Sequence, residues 1–249
     1  MNLDIVILAE TKKKGTGQEL IGDHLHVWSG VQNQLRAQSG VSILIKNKWR
    51  KCITELECIN DRIIKLALSI FGQQTEIVGV YAINDDELVE KKEAFFETLS
   101  EVLEKGNPNH EVILIGDLNS RVGKDEEDVV GRLGEDTKND NGDRLINLFR
   151  EHECIIANTI FQHKCIHKYT WENPTRGLKS IIDLIVVKKN RRMVVQDVRV
   201  YRQHECGSDH HMVVGKFIFI GQRKRSTAKG NIDEKLEEIE ETIYKRQTY

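Results

Sequence analysis

The sequence lacks three features that would each indicate a class of protein. Positive charge is not in excess, because 37 lysines and arginines stand against 39 aspartates and glutamates. Any contact with nucleic acid must therefore come from local patches. The five cysteines are odd in number and include no Cys-x-x-Cys pair, and no signal-peptide pattern begins the chain, which predicts a reduced intracellular protein. The longest apolar runs, such as 181–187, are broken by Asp or Lys and fall far short of a membrane span, so no membrane partner is expected.

Short runs rich in Ile and Val predict β-strands, because each is bounded by Gly, Asn, Asp or charged residues. The predicted strands are 5–9, 41–45, 63–71, 76–81, 112–115, 154–157, 181–187, 193–201 and 212–220. Apolar residues at helical spacing predict one helix from Asp85 or Asp86 to about Lys105 and a second over about 142–151. Strands with interspersed helices predict a layered α/β domain.

The end of the chain differs in composition from the rest. Residues 221–230 are basic and polar, which predicts a linker, and 231–247 place apolar residues at helical spacing among many charges, which predicts an amphipathic helix. We therefore expect one domain over residues 1–220, followed by a basic linker and a charged helical tail over 221–249.

The segment Glu111–Asn119 carries the sharpest local signal for chemistry. An apolar strand core runs directly into Gly-Asp-x-Asn, so Asp117 and Asn119 follow a strand end and can face one cleft. A carboxylate there can take a proton from water, and an amide can donate to a phosphate oxygen. A capped turn is the alternative interpretation, since Asp and Asn are common in turns.

Further acidic and histidine residues lie at strand ends or inside strands. Asp209 and His210 come just before a predicted strand; a histidine suits proton transfer near neutral pH, and a carboxylate can bind a hard cation such as Mg²⁺. Asp183 lies in an otherwise apolar strand and needs a partner to offset its desolvation, for which a histidine across the cleft is the natural choice. Glu10 ends the first strand and could bind Mg²⁺. Taken singly, each also fits a structural or surface role.

Two other clusters have less specific patterns. His163, Cys165 and His167 alternate and could face one side of a strand, but they meet no standard four-ligand zinc spacing. The basic run 188–192 is typical of a solvated turn between strands, with nuclear import or phosphate contact as the alternatives.

Taken together and in this order, the motifs resemble those of the endonuclease/exonuclease/phosphatase superfamily. The matching segments are Glu10–Lys12, Tyr81–Asn84, Gly116–Asn119, Thr170–Trp171, Ile182–Asp183 and Gly207–His210. Within the superfamily the chain resembles the endonuclease domains of RTE-type non-LTR retrotransposons and the related craniofacial development protein 2-like proteins. The segments that carry this closer likeness are Asn141–Leu145, Asn158–Thr159 and Tyr169–Trp171.

The resemblance implies a four-layer sandwich of two packed mixed β-sheets flanked by helices. It also implies that the sequence begins after the first strand and helix of that fold, and after an asparagine of the metal site that the strand carries. The neighbouring strand is then expected to have an unpaired edge. A smaller departure is Ile83, which stands where the superfamily usually has proline.

The catalytic roles that the resemblance implies involve five residues. Asp117 would orient and deprotonate the attacking water, and Asn119 would help to hold the water and the phosphate. His210, steadied by Asp183, would stabilise the phosphorane or assist proton transfer. Tyr81 would contact the scissile phosphate.

The resemblance also implies substrate and metal contacts. Asn84, like Tyr81, would contact the scissile phosphate, Trp171 would contact the substrate, and Glu10 and Asp209 would hold Mg²⁺ or Mn²⁺. The implied activity is that of a Mg²⁺-dependent phosphodiester hydrolase, a DNA endonuclease of retrotransposon origin that acts in the nucleus if its target is genomic DNA. A reverse transcriptase region would follow in the parent gene. The alternatives are a catalytically weak, truncated domain that binds nucleic acid or a protein, and a phosphodiesterase for phospholipid or inositol phosphate.

Overall fold

A computed structural model describes residues 2–126, 128–189, 193–202 and 207–219. The predicted linker and helical tail, and most of the basic run 188–192, therefore lie outside the described residues. Within the described ranges, no helix is both long enough and apolar enough to cross a membrane.

The described residues form short strands and two α-helices. Helix α1 spans Val89–Glu104 and helix α2 spans Asp140–Glu151. The strands are β1 (Ile5–Leu8), β2 (Thr16–Ile21), β3 (His24–Ser29), β4 (Val41–Lys46), β5 (Ile53–Cys58), β6 (Ile63–Ile70), β7 (Gln73–Tyr81), β8 (Glu111–Asp117), β9 (Cys154–Ile156), β10 (Trp171–Asn173), β11 (Leu178–Ser180), β12 (Asp183–Lys188), β13 (Met193–Tyr201) and β14 (Met212–Phe219). Every strand predicted from an Ile- and Val-rich run is present, with ends shifted by a few residues.

Two sheets organise most of the strands. The larger sheet has the order β5-β6-β7-β8-β12-β9 and is mixed, because β7 and β8 are parallel whereas its other neighbours are antiparallel. The smaller sheet has the order β1-β4-β3-β2 and is antiparallel throughout. Strands β10-β11 and β13-β14 form separate pairs. In the described part of the chain, β1 is an edge strand that pairs with β4 alone.

Apolar side chains are buried on both faces of the six-stranded sheet, as the alternation of side chains along each strand allows. One cluster lies between this sheet and the helices and includes Leu99 of α1 and Phe149 of α2. The other lies between the two sheets and includes Ile43 of β4 and Leu66 of β6. Burial of one such side chain contributes about 1.5–3 kcal/mol. The predicted pair of packed sheets flanked by helices is thus confirmed, with both helices of the described residues on one side.

Several element boundaries differ from the prediction for identifiable reasons. Strands β2, β3 and β5 escape a search for apolar runs because polar residues interrupt them. Helix α2 begins earlier than predicted, because the Asn139 side chain caps it by accepting the N–H of Gly142 at 2.8 Å. Helix α1 begins later than predicted, because the Asp85 carboxylate accepts the N–H of Asn141 at 2.9 Å and does not cap α1.

Candidate active site

Strands β7, β8 and β12 bring three of the predicted catalytic residues together at one end of the six-stranded sheet. Tyr81 and Asp117 are paired at the ends of the parallel strands β7 and β8. Asp183 begins β12, which runs antiparallel to β8, and is paired with Asp117. Residues paired in this way have Cα atoms about 4.5–5.5 Å apart, so the two carboxylates are neighbours although they are distant in sequence.

The backbone of this end depends on the glycine of the Gly-Asp-x-Asn motif. A Cβ atom at Gly116 would lie 1.8 Å from the carbonyl oxygen of Val80. That oxygen belongs to the paired strand β7, so it cannot move aside as a flexible side chain could. Glycine at this position therefore permits the close approach of β7 and β8 and, with it, the pairing of Tyr81 and Asp117.

His210 completes the group. Its Nδ1 lies 3.0 Å and 3.2 Å from the two carboxylate oxygens of Asp183, and the ring is partly buried. The predicted contact between these two residues is therefore present. One ligand atom from each of Asp117, Asp183 and His210 lies within 4.8 Å of the others.

The three residues alter one another's protonation. Burial, and then the neighbouring charge of Asp183, raises the pKa of Asp117 to about 7. Burial alone would lower the pKa of His210, but the hydrogen bond and the charge of Asp183 outweigh burial and raise it to about 9. Between these two values Asp117 is deprotonated while His210 carries its proton, the combination that a general base beside an electrostatic stabiliser requires.

Asn119 has a left-handed backbone, with φ of 46°. Its N–H donates to the Asp117 carboxylate at 3.0 Å, and its side-chain amide donates to the carbonyl oxygen of Ala82 at 3.0 Å. An amide nitrogen has two protons, so one donor remains for the predicted contact with water or phosphate.

Tyr81 is half-buried, and a residue that sequence reasoning missed lies against it. The Arg62 guanidinium lies 5.0 Å from the centre of the Tyr81 ring, and its Nη1 donates to the carbonyl oxygens of Tyr81 and Ala82 at 3.3 Å and 3.1 Å. Burial, together with the charges of Glu10 and Asp117, raises the pKa of Tyr81, so the hydroxyl stays protonated and can donate. Arg62 follows a turn and belongs to no motif, so the sequence offers no signal for it.

The predicted substrate and metal residues lie nearer the surface. Asn84 is exposed on the loop after β7. Glu10 is exposed just after β1, and its carboxylate lies 3.4 Å from Lys12 Nζ. The carboxylate of Asp209 is exposed and accepts the indole N–H of Trp171 at 2.7 Å. Trp171 therefore orients Asp209, a contact that the sequence did not predict.

Two further residues hold the backbone of Asp183 in place. The buried hydroxyl of Thr170 accepts the N–H groups of Ile182 and Asp183, each at 3.0 Å. The amide of Asn158 donates to the carbonyl oxygen of Asp183 at 3.0 Å and accepts the N–H of Ile185 at 2.7 Å. Both residues belong to segments that carry the resemblance, which was the available signal for them.

The candidate zinc cluster does not assemble in the described residues. His163 Nε2 lies 2.8 Å from an Asp197 carboxylate oxygen, the His167 ring donates to the carbonyl oxygen of Val200 at 2.9 Å, and Cys165 is exposed in a short 3₁₀ turn. The group of potential metal ligands that the structure brings together is instead Asp117, Asp183 and His210.

The acidic end of the sheet fits a hard divalent cation. Two carboxylates lie together there, and burial with the charge of Asp183 already raises the pKa of Asp117, so negative charge is concentrated. Glu10 adds to this charge. Mg²⁺ prefers oxygen donors and usually binds through one or two carboxylates. Glu10 and Asp209 are exposed and open to such an ion, and their assignment as its ligands stays a prediction.

Comparisons with known proteins agree with this geometry. Residues 75–214 match the family described as endonuclease-reverse transcriptase. The chain is 30% identical over 220 residues to craniofacial development protein 2 of Tragulus javanicus, covering 87% of this chain but 38% of that protein. The fold is similar to an AP endonuclease from Leishmania major, with a TM-score of 0.61 and 16% identity over 87% of this chain and 78% of that one. It is also similar to the endonuclease domain of TRAS1, a telomere-specific non-LTR retrotransposon, with a TM-score of 0.57 and 16% identity over 81% of each chain.

Proposed function

Because the chain belongs to the endonuclease-reverse transcriptase family, within the endonuclease/exonuclease/phosphatase superfamily, we propose that it hydrolyses phosphodiester bonds as a Mg²⁺-dependent DNA endonuclease of retrotransposon origin. One observation carries the proposal: Asp117 is buried beside the bonded pair of Asp183 and His210, at the end of β8. In this arrangement Asp117 would act as the base and the protonated ring of His210 as the positive charge, both within reach of one phosphate.

Asp117 is suited to activate water. A general base works best when its pKa is near the working pH, and the pKa of Asp117 is about 7 because of burial and the charge of Asp183. As the water oxygen bonds to phosphorus, its proton passes to Asp117 and the bond to the leaving oxygen breaks. Asn119 holds the phosphate through its remaining amide proton and the water through its amide oxygen.

His210 is suited to stabilise the charge that develops on phosphorus. Burial alone would lower the pKa of His210, but Asp183 raises it to about 9. The ring therefore carries a proton at neutral pH. A preorganised donor directed at developing charge contributes more than the same donor in water. Tyr81, whose burial keeps its hydroxyl protonated, donates to the phosphate from the adjacent strand end.

Substrate and metal contacts complete the proposal. Asn84 contacts the scissile phosphate, and Trp171 contacts the nucleic acid. Glu10 and Asp209 would hold Mg²⁺ or Mn²⁺, which when bound neutralises charge on the phosphate and the leaving oxygen. The family description, and the 38% of the matched craniofacial protein that the chain spans, also motivate the proposal that a reverse transcriptase region follows in the parent gene. If the target is genomic DNA, the protein acts in the nucleus.

Nicking of supercoiled plasmid tests the proposed function. Wild type is incubated with plasmid and Mg²⁺, in parallel with the Asp117→Ala, His210→Ala double variant. The matched control is the Asp23→Ala, His24→Ala double variant of the β2–β3 turn, which replaces the same residue types away from the site. We expect wild type and the control to nick and the site variant and a chelator-treated sample to lose nicking. Equal nicking by wild type and the site variant would refute the proposal.

A further inference from the structure

Asn141 is completely buried in the first turn of α2, and its side chain points away from that helix. Its amide nitrogen donates to the carbonyl oxygen of Ile83 at 2.9 Å and to that of Asn119 at 3.2 Å. These two carbonyls belong to different loops, one after β7 and the other after β8. A single amide group thus bridges the two loops that carry the residues proposed to contact the phosphate.

The bridge is reinforced from the same helix turn. The backbone N–H of Asn141 donates to the Asp85 carboxylate at 2.9 Å. The buried ammonium of Lys92 donates to the carbonyl oxygen of Asp85 at 2.8 Å and lies 2.7 Å from the Asp140 carboxylate. The start of α2 is therefore fixed to the loop that contains Asn84.

The side chain of Asn141 is not needed to begin α2. That role belongs to Asn139, whose side-chain oxygen accepts the N–H of Gly142 at 2.8 Å. A helix cap requires one such acceptor in the first turn. The second asparagine is therefore free to bond outside the helix.

In the described part of the chain, few other hydrogen bonds join the two bridged loops directly to each other. Asn119 has a left-handed backbone, which is uncommon for non-glycine residues although asparagine adopts it more readily than most. Beyond the paired strands, the loops contact each other through Ala82, whose N–H donates to the Asp117 carbonyl at 2.8 Å and whose carbonyl accepts the Asn119 amide at 3.0 Å. The side chain of Asn141 adds a further link between the two loops on their buried side.

We infer that Asn141 is a positioning residue, which holds the Asn84 loop and the Asn119 loop in register so that both meet the same phosphate. The inference rests on the proposed function of that site. Misplacement of reacting groups by about 1 Å can lower a rate about 100-fold. DNA affinity depends mainly on many separate phosphate contacts, so loss of the bridge lowers kcat and leaves binding nearly unchanged.

Asn141→Asp tests the inference, with Asn147→Asp as its matched control. The first change places a carboxylate oxygen against two carbonyl oxygens, and the added negative charge near the start of α2 favours the helix. The control makes the same substitution on an exposed face of the same helix. Asn141→Ala and Asn147→Ala provide a second pair that adds no charge, should the aspartate variant fold poorly.

Two readouts are needed, of which the first does not depend on activity. Hydrogen exchange at the amides of Ala82 and Asn119 is expected to be about tenfold faster in the Asn141 variants than in wild type, and unchanged in the Asn147 variants. In plasmid nicking, kcat is expected to fall about 100-fold, with Kd for DNA changed less than about threefold.

The outcomes separate the two hypotheses. Unchanged exchange in both loops, or a kcat equal to that of the Asn147 control, would overturn the role of Asn141. Absence of nicking by wild type, with faster exchange in the Asn141 variants, would count against the proposed function and leave the bridge supported. A fall in kcat matched by an equal fall in affinity would also contradict a positioning role.

Discussion

The six-stranded sheet buries a carboxylate beside a histidine at each of its two ends, and the charged neighbours of that carboxylate differ between the ends. At the end where β8 finishes, two carboxylates, Asp117 and Asp183, lie beside the single ring of His210. At the end where β7 begins, buried Glu76 has His110 as its own partner, with Nδ1 at 2.7 Å.

Carboxylates at the second end lie beside basic side chains. The Lys65 ammonium lies 3.1 Å from Glu57 and 3.5 Å from Glu55, and its hydrogen bond lowers the pKa of Glu57. Burial and a like-charged neighbour instead raise the pKa of Asp117. A buried acid paired with a basic side chain, as Glu76 is with His110, serves stability, whereas a buried acid beside another acid, as Asp117 is beside Asp183, keeps a raised proton affinity that is useful for chemistry. Substitutions at the two ends should therefore have opposite consequences.

The largest effect is expected from Asp117→Asn. Nicking should fall about 1,000-fold, because a general base contributes about 10²–10⁴-fold. The melting temperature in chelator should not fall at pH 8. A carboxyl whose pKa rises from 3.8 to about 7 on folding destabilises the folded state as pH increases across that interval, and asparagine removes the penalty. Thermal melts at pH 5 and pH 8 check this. A lower melting temperature at both pH values would contradict the expected difference between the two ends of the sheet.

A loss of about 100-fold in nicking is expected from Asp183→Asn, because His210 loses its orienting carboxylate. The pKa of His210 should fall well below about 9, since burial then acts without the opposing contribution of Asp183. In wild type this raised pKa adds stability below the unfolded value of 6.5 that is lost as pH rises towards 9. NMR titration of the ring in chelator measures the shift. Glu172→Gln, which lies by His211 at 3.7 Å, should leave the His210 titration unchanged.

At the opposite end, Glu76→Gln should lower the free energy of unfolding by about 1–3 kcal/mol and leave nicking unchanged. The substitution keeps the volume but removes the charge that accepts from His110. Urea denaturation gives the free energy, and Glu101→Gln, exposed on α1, is the control. A loss of nicking in the Glu76 variant would mean that this end of the sheet also contributes to activity, contrary to our proposal.

The smallest effect is expected from Lys65→Met, which should change the free energy of unfolding by less than about 1 kcal/mol. The ammonium is buried, so its removal relieves desolvation. Its partners Glu55 and Glu57 have side chains that are 51% and 40% exposed, so water can solvate them afterwards. A loss of several kcal/mol in urea denaturation would show that the charge network at this end stabilises more than the Glu76 pair.

Sequence reasoning predicted the parts of the fold that depend on local pattern. Ile- and Val-rich runs became strands, because a buried strand needs apolar residues on one or both faces. Strand β5, with its exposed Glu55, gave no such pattern and was missed. The start of α1 was also misplaced, since Asp85 bonds to the N–H of a residue far along the chain, Asn141.

The candidate site was predictable in its residue types and less so in its contacts. Asp183 could be paired with His210 because a carboxylate in an apolar strand requires a partner. The adjacency of Asp117 and Asp183 depends on the register between β8 and β12, which no local spacing encodes. Arg62 was missed, and Asn141 was noted only as part of a segment that carries the resemblance, because both residues act on backbone carbonyls, which any sequence supplies.

The buried threonine that supports the site has a consequence for the time course of folding. Thr170 accepts from Ile182 and Asp183 at 3.0 Å each, donates its N–H to Ser180 at 2.9 Å, and accepts the N–H of His211 at 2.7 Å. Closing chain loops of this length costs entropy before the contacts compensate for it, and non-local contacts slow folding. Asp183 and His210 therefore come together only when the segments around Thr170, Ile182 and His211 have met, so the activity proposed for the site requires all three segments to be in place.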